Sequence, residues 1–348
     1  MCSRTIVTCV KLARRPPVSL PMHATVAICT WNRSRLLRQT LDQFLRLAVP
    51  AGGSWELLVV NNDSTDDTDS VLAEFESRLP LRRLFEPKPG HSHARNAALS
   101  AATGDYILFT DDDVLVDSTW LVELDAARRA YPQAAAFGGV IVPWFVEEPA
   151  PELAEVFYSV RVGFCGLDHQ RDAGVLPENL VVVGANMAFR MAALGGLRFD
   201  PALGFSRQSL VGGDEVDFLR RLRQAGGDLV WWPRMKVHHY VLPSRLTLEY
   251  ALRREQGEGK SQVLSGAGPR PADATWFGVP RWLLRRYLQA GIRRWLSYLV
   301  PLRPSPHLVF GPLPAPGSSR TVRVMTWRRE MARIRGMIEA FRETRRRS

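Results

Sequence analysis

ATGDYILFTDDDVLV, residues 102–116, is the stretch that decides the fold of this chain. The apolar run YILF at 106–109 predicts a short buried strand. Three consecutive carboxylates, Asp111, Asp112 and Asp113, follow at the carboxyl end of that strand. Because neighbouring carboxylates repel one another, they must stay solvated or bind a cation. Two interpretations remain open at this point, a site for Mg²⁺ or Mn²⁺ and an acidic loop that caps the following helix.

The sequence around this stretch alternates between strand-like and helix-like segments. Apolar runs of strand length lie at 24–30, 55–60, 81–85 and 106–109, and helical spacing of apolar residues lies between them, at 36–47, 71–79 and 92–101. This alternation predicts an α/β fold with a mostly parallel sheet and helices on both faces. Ligands bind at the carboxyl ends of the strands in such sheets. Neither GxGxxG nor GxxxxGK[ST] occurs, which argues against a dinucleotide-binding fingerprint and a P-loop.

Charge and cysteine usage bound the class of protein. The net charge of +11 is carried by residues 270–348, which hold 17 arginines and four acids, whereas the remaining 29 basic and 31 acidic residues give −2. The four cysteines lack CxxC spacing, which argues against a zinc site or a disulfide scaffold and fits a reducing compartment. No run of 18 apolar residues occurs, so no membrane-spanning helix is predicted.

Two basic helices are predicted in the C-terminal part, after a linker-like stretch at 266–273. The first covers 281–300, with apolar residues on one side and arginines mostly around the other, and the second covers 322–347. Tryptophan and arginine on an amphipathic helix indicate docking at an anionic bilayer surface. Packing of the helix on the rest of the chain remains the alternative. No RNA- or DNA-binding module is recognised, so we expect no nucleic-acid partner.

Eight motifs follow one another along residues 24–265. They are VAICTWNR (26–33), LLVVNNDSTDDT (57–68), EPKPGHSHARNAAL (86–99), GDYILFTDDDV (104–114), VGANMAFRMAAL (183–194), FDPALG (199–204), GGDEVDFLRRLRQAG (212–226) and VHHYVLPSRLTLEY (237–250). In this order and spacing they resemble the family 2 nucleotide-sugar glycosyltransferases, which have a GT-A type fold and invert the anomeric centre. The resemblance implies a GT-A domain at 24–265. The short apolar patch before it predicts a flexible lead-in at 1–23, and the change of composition after about 266 predicts a basic helical region at 266–348.

The resemblance also implies where the nucleotide-sugar donor binds. The implied donor-binding residues are Thr30, Arg33, Asn61, Asp63, Arg95, Asp111, Asp112 and Asn186. Asn61 stands where the family usually has an aspartate, so the preference for the base is open, and Asp63 or Asp66 could partly substitute for it. Arg95 is expected to face the nucleotide or its phosphates, because a planar guanidinium binds phosphate oxygens in pairs.

The metal site and the catalytic base are implied in the same way. The family's DxD motif matches Asp111 to Asp113, with Asp113 as the metal ligand and Asp111 either on the ribose or helping to hold the ion. His238 or His239 matches a family histidine near the metal, and His238 is the residue that we assign. Asp214 and Glu215 open a predicted helix, and Glu215 stands in the usual place of the general base, with Asp214 as the alternative.

Adjacent Trp231 and Trp232 lie in a predicted strand at 228–232. Because successive side chains of a strand point to opposite faces, the two rings cannot both face the same side. A platform for an acceptor sugar, contact with a membrane and packing in the core all remain open for them.

The function implied is therefore that of a metal-dependent inverting glycosyltransferase. It would use Mg²⁺ or Mn²⁺ to move a sugar from a nucleotide-diphosphate donor to a hydroxyl of a glycan or lipid-linked acceptor, in envelope or extracellular polysaccharide biosynthesis. We expect a cytoplasmic enzyme, peripheral on the inner face of the cell membrane. Two alternatives stay open, a non-catalytic nucleotide- or sugar-binding relative and a nucleotidyltransferase, which would need a Gly-rich loop where this chain has CTWNRS.

Overall fold

The computed structural model describes residues 20–160, 164–204, 213–264, 275–299 and 319–347. Its strands are β1 (His23–Thr30), β2 (Ser54–Asn61), β3 (Leu81–Phe85), β4 (Tyr106–Asp111), β5 (Val114–Val116), β6 (Ala136–Gly138), β7 (Ile141–Phe145), β8 (Gly174–Val175), β9 (Met187–Arg190), β10 (Leu229–Trp231), β11 (Val237–Val241), β12 (Thr275–Trp276) and β13 (Val279–Pro280). Its α-helices are α1 (Ser34–Phe44), α2 (Thr68–Phe75), α3 (His91–Ala101), α4 (Trp120–Ala130), α5 (Pro151–Val160), α6 (Asp214–Gln224), α7 (Leu248–Leu264), α8 (Arg281–Leu296) and α9 (Arg320–Arg347). Residues 1–19 of the predicted lead-in lie outside the described residues.

The central sheet has the strand order β3-β2-β1-β4-β9-β6-β10-β8. All of its strands run in one direction except β9 and β8, which confirms the predicted α/β fold with a mostly parallel sheet. The carboxyl ends of the first strands are level, because Thr30 pairs with Asn61 and Cys29 pairs with Asp111. The polar residues that follow these strands are therefore collected at one edge of the sheet.

Both faces of this sheet are buried under helices. On β1, Val26 and Ile28 join the apolar cluster that holds residues of α1, α2 and α4, whereas Ala27 joins the cluster that holds residues of α3 and α6. The same alternation separates Trp231 from Trp232, which are both buried and lie in different clusters. Of the three interpretations for these tryptophans, the structure supports core packing.

A second, three-stranded sheet places β11 against the acid triplet. Its order is β5-β11-β7, and β11 runs antiparallel to β5, the strand that directly follows the three aspartates. His239 pairs with Val114 in this ladder, and the Tyr240 backbone N–H donates to the Asp113 carbonyl at 2.9 Å. Residues that are more than 100 positions apart in the chain thus meet at the end of β4.

The C-terminal helices form a closely packed group with α7. A Cβ added at Gly259 of α7 would lie 1.9 Å from the carbonyl oxygen of Arg333, and one added at Gly336 of α9 would lie 1.8 Å from that of Gln256. Two glycines therefore let the helix backbones touch, and the buried Arg333 guanidinium donates to Glu255 at 2.9 Å across the same crossing. The two predicted basic helices are present as α8 and α9.

No helix among the described ranges is both long and apolar enough to cross a membrane. The division of the chain at residues 265 and 266 stays a prediction, because 265–274 lie outside the described residues.

Candidate active site

The loop after β2 is held by its own polar side chains. Asn61 donates from Nδ2 to Asp69 at 2.9 Å, and its Oδ1 accepts the Ser64 backbone N–H at 2.9 Å. The Asn61 side chain is buried by these contacts. The structure thus gives Asn61 a role in holding this loop. Asp63, the next implied donor-binding residue, is half-buried with a left-handed φ of 62°.

Asp66 ties the first two loops together. One carboxylate oxygen accepts the Ser34 backbone N–H at 2.9 Å, and the other accepts the Thr68 hydroxyl at 2.5 Å. Burial acts to raise the pKa of Asp66, but the hydrogen bonds from Thr68 and Ser34 outweigh it and lower that pKa below its usual value. Both oxygens of Asp66 are therefore used within the fold.

A hydrogen-bond network joins Thr30 and Arg33 to the acid triplet. The Thr30 hydroxyl donates to Asp112 at 2.8 Å, and Arg33 Nη1 donates to Asp112 at 3.0 Å and to Asp113 at 2.7 Å. Burial raises the pKa of Asp112 to about 7, although the charge of Arg33 acts in the opposite direction. The network fixes the orientation of the triplet and partly neutralises its charge.

Asp111, Asp113 and His239 have their ligand atoms within 4.8 Å of one another. The His239 Nε2 atom lies 3.6 Å from Asp111 Oδ2 and 3.5 Å from Asp113 Oδ1. Asp113 Oδ1 is buried and has no hydrogen-bond partner in the described part of the chain. A buried carboxylate oxygen left in this way is costly, and two carboxylates with an imidazole suit Mg²⁺ or Mn²⁺. The donor set therefore fits a divalent cation.

His238, which the sequence analysis assigned to the metal, does not face the acid triplet. Its Nε2 atom lies 3.2 Å from Asp117 Oδ1, and its side chain is 40% exposed, whereas that of His239 is 7% exposed. Neighbouring side chains of a strand point to opposite faces, so only one of the two histidines can reach the triplet. The structure corrects the assignment from His238 to His239.

Cys165 lies beside His239, in a segment where the sequence offered no motif. A narrow cleft is lined by both residues together with Arg245 and Tyr250. Burial acts to raise the pKa of the Cys165 thiol, but His239 and the charge of Arg254 lower it below its usual value. Burial likewise acts to lower the pKa of His239, but Cys165 and the neighbouring aspartates raise it well above its ordinary value. The Cys165 thiol and the His239 imidazole thus each favour the charged form of the other.

Arg95 is buried and faces the acids of α6. Its Nη1 donates to Asp214 at 2.9 Å, its Nη2 donates to Glu215 at 2.6 Å, and the Phe199 ring lies 5.3 Å from its guanidinium carbon. This corrects the expectation that Arg95 faces the nucleotide.

Burial acts to raise the pKa of Asp111, but His239 and, more weakly, Arg95 bring it below the usual value. The acid triplet and the α6 acids therefore share one electrostatic environment.

Glu215 is the more accessible of the two α6 acids. Its side chain is 21% exposed, whereas that of Asp214 is 3% exposed. The Gly184 backbone N–H donates to Glu215 Oε2 at 2.8 Å, and a Cβ at Gly184 would lie 2.1 Å from both Glu215 Oε1 and Arg95 Nη2. Because Gly184 has no side chain, Arg95 and Glu215 can meet in the space that a Cβ would occupy. A carboxylate with one partly exposed face can accept a proton from an incoming hydroxyl.

Asn186, which the sequence analysis placed at the donor, has a structural role instead. Its Oδ1 accepts the Trp120 indole N–H at 2.8 Å, and its Nδ2 donates to the carbonyls of Val140 at 3.1 Å and Met235 at 2.8 Å. The side chain is completely buried. Since three segments of the core share this amide, the structure corrects the assignment of Asn186 to donor binding.

Comparisons with known proteins identify relatives of this chain. The family model described as Glycosyl transferase family 2 matches residues 25–194. The succinoglycan biosynthesis protein ExoM of Rhizobium meliloti is 27% identical over 252 residues, which cover 69% of this chain and 74% of that protein. An uncharacterized glycosyltransferase of Mycobacterium tuberculosis is 33% identical over 167 residues, which cover 42% of this chain and 74% of that protein.

A solved structure shares the fold. It is a mannosyltransferase from Pyrobaculum calidifontis in complex with GDP-Man and Mn²⁺. The two structures align with a TM-score of 0.51 at 21% sequence identity, over 75% of this chain and 68% of that chain. At this identity the likeness concerns the fold alone.

Proposed function

This chain belongs to glycosyltransferase family 2, and from that premise we propose that it transfers a sugar, with inversion, from a nucleoside diphosphate to a hydroxyl group. The observation that carries the proposal is the approach of Asp111, Asp113 and His239 at the end of β4, on the same sheet edge as the loops after β1 and β2. That edge is where ligands bind in open parallel sheets.

We assign Asp111, Asp113 and His239 as the ligands of Mg²⁺ or Mn²⁺. A cation held there would neutralise the charge that develops on the diphosphate leaving group. Arg33 supports these ligands, because its guanidinium fixes Asp113 and Asp112 through hydrogen bonds of 2.7 and 3.0 Å. The structural relative in complex with GDP-Man and Mn²⁺ supports the same class of donor and cation.

We assign Glu215 as the general base. Its carboxylate would take the proton of the acceptor hydroxyl while the oxygen attacks the anomeric carbon on the face opposite the leaving diphosphate. Arg95 is the positioning residue, since it binds both Glu215 and Asp214 from a buried place beside the rings of Phe109 and Phe199. The more enclosed Asp214 holds Arg95 in turn.

We propose that the acceptor is a glycan or lipid-linked saccharide of envelope or extracellular polysaccharide biosynthesis. The relative from Rhizobium meliloti is a succinoglycan biosynthesis protein, which supports this class of product. The reaction would take place at the inner face of the cell membrane, where a nucleotide-sugar donor and a lipid-linked acceptor can meet. Thr30, Asn61 and Asp63 would lie around the nucleotide as parts of the loops that shape its pocket.

A thermal-shift panel of UDP, GDP, dTDP, CDP and ADP, each with and without Mn²⁺, tests the proposal. Binding to the folded state raises the melting temperature by mass action. We expect one diphosphate to stabilise the wild type only with Mn²⁺, and Asp113→Ala to abolish that shift. Glu74→Gln, which changes an exposed carboxylate on α2, is the matched control. A folded wild type that no diphosphate stabilises, or an unchanged shift in Asp113→Ala, contradicts the proposal.

A further inference from the structure

Helix α8 and the hairpin before it expose an unusual amount of apolar surface. Phe277, at the turn between β12 and β13, is 84% exposed, and five further large apolar side chains are each more than half exposed. These are Trp276, Leu288, Ile292, Trp295 and Leu299. We call this set, together with Arg281 and Arg285, the α8 surface. Exposed large apolar side chains in this number point to an interaction site.

The exposed residues of α8 share one side of the helix. Positions 288, 292 and 295 follow the i, i+4, i+7 spacing of a helical face, and Leu299, just beyond the end of α8, continues that spacing at i+11. The opposite side carries Leu283 and Ala290, which are buried in clusters that also hold side chains of α9. Helix α8 thus has one apolar face packed inside the protein and a second, exposed one. The second face needs an explanation other than core packing.

The charged residues of the segment that carries this surface all have one sign. Residues 275–299 contain five arginines and no acidic residue. Arg286 pairs with Glu330 at 3.2 Å and Arg293 lies over the Trp327 ring, so these two face α9. Arg281 and Arg285 are exposed, and Arg281 lies 4.9 Å from the centre of the Trp276 ring. Apolar and cationic side chains are therefore presented side by side.

This combination selects among the partners that could cover the surface. A second copy of the same face would bring arginines against arginines, which is unfavourable. An anionic bilayer matches both components, because apolar side chains enter the interface while arginines bind the lipid headgroups. We propose that the α8 surface docks this protein on an anionic membrane, with α8 lying in the plane of the interface. The purpose of docking, which is to reach a membrane-held acceptor, rests on the proposed function. The docking itself does not.

Vesicle co-sedimentation of the full chain tests the inference. Phosphatidylcholine vesicles, with and without about one third phosphatidylglycerol, are mixed with protein in the absence of donor and acceptor. We expect binding to the anionic vesicles only, with a loss of about fivefold in partition for each of Arg281→Gln and Arg285→Gln. Leu288→Glu with Trp295→Glu should abolish binding, whereas Leu45→Glu, at an exposed leucine directly after α1, should leave it unchanged.

Three results would overturn the inference. The first is equal binding by the wild type and the Leu288→Glu, Trp295→Glu variant. The second is a large fall in melting temperature in that variant, which would show that the face is covered within the chain. The third is a wild-type dimer, seen by sedimentation, that the variant dissociates. Because no donor is present, vesicle binding and the diphosphate panel can fail independently, so a failure of docking is distinguishable from a failure of the proposed function.

Discussion

His239 Nε2 lies 3.5 Å from Asp113 Oδ1, and no hydrogen bond from the described residues reaches that oxygen. An imidazole and a buried carboxylate oxygen at this separation can both bind one ion placed between them. His238, the neighbour along the strand, bonds to Asp117 on the other face. The pair of histidines therefore provides a natural comparison within one dipeptide.

We predict that His239→Ala weakens Mn²⁺ binding at least tenfold, whereas His238→Ala leaves it within about twofold. Isothermal titration of each variant with MnCl₂ measures the difference. Both variants should keep the wild-type fold, which circular dichroism checks. A weaker affinity in His238→Ala than in His239→Ala would instead show that His238, the residue assigned from the sequence, is the metal ligand.

Arg95→Lys should separate chemistry from donor binding. Lysine keeps the buried charge but cannot hold Asp214 and Glu215 with a planar fork, so Glu215 loses its fixed orientation. We expect kcat to fall about 100-fold and the KM for the donor to change little. Arg38→Lys, at an exposed pair with Glu74, is the control and should retain full activity. A raised donor KM with unchanged kcat would instead indicate that Arg95 binds the nucleotide.

Asn186→Ala should destabilise the fold without changing donor affinity. The substitution leaves the Trp120 N–H and the carbonyls of Val140 and Met235 without their partner, so we expect unfolding free energy to fall by about 3 kcal/mol. Trp120→Phe removes only one of these hydrogen bonds, so the loss of hydrogen bonding at the buried Asn186 amide should be smaller. Urea unfolding measures both variants. A tenfold loss of diphosphate affinity in Asn186→Ala at unchanged stability would contradict the structural role.

Glu56 should make stability depend on acid pH. It accepts hydrogen bonds from Thr25 at 2.6 Å and Thr103 at 2.7 Å and pairs with Arg82 at 3.0 Å. Burial acts to raise the pKa of Glu56, but these partners lower it from 4.5 to about 2. Because the folded pKa lies below the unfolded one, the ionised group stabilises the fold above pH 4.5, and this contribution disappears as the pH falls to about 2.

Glu56→Gln tests the direction of this pH dependence of stability. At pH 7 the variant should be about 1–2 kcal/mol less stable than the wild type, because it loses charge-assisted hydrogen bonds. The difference between the two proteins should shrink as the pH falls from about 5 towards 2. Denaturant unfolding at several pH values measures it. A difference that stays constant over this range would contradict the prediction.

The sequence predicted the elements that depend on local patterns. Apolar periodicity placed β1 to β4 and the helices between them, and the acid triplet was recognised because it ends a strand of a parallel sheet. The partners of Asn61 also lie within eight residues, but any of several neighbouring polar residues could have taken that place. Local spacing alone does not decide between them.

Other features depend on segments that are far apart in the chain. Asn186 meets carbonyls at 140 and 235, and Arg95 meets acids about 120 positions away, so periodicity carries no information about either contact. The choice between His238 and His239 depends on which face of β11 meets β4, and a shift of one residue reverses the answer. Cys165 lies in a segment without any recognisable motif. The exposed face of α8 became clear only when its opposite face was seen against α9.

The most direct measurement of the central claim is the release of nucleoside diphosphate by Glu215→Gln. The donor is the sugar nucleotide of the diphosphate found in the thermal-shift panel, and a membrane extract supplies the acceptor. Glu74→Gln is the control, since it changes an exposed glutamate on α2. We predict that Glu215→Gln binds the diphosphate with Mn²⁺ as tightly as the wild type. Its turnover, measured as diphosphate released from the sugar nucleotide, should be at least 100-fold slower. Release at the wild-type rate by a folded Glu215→Gln protein would contradict the account.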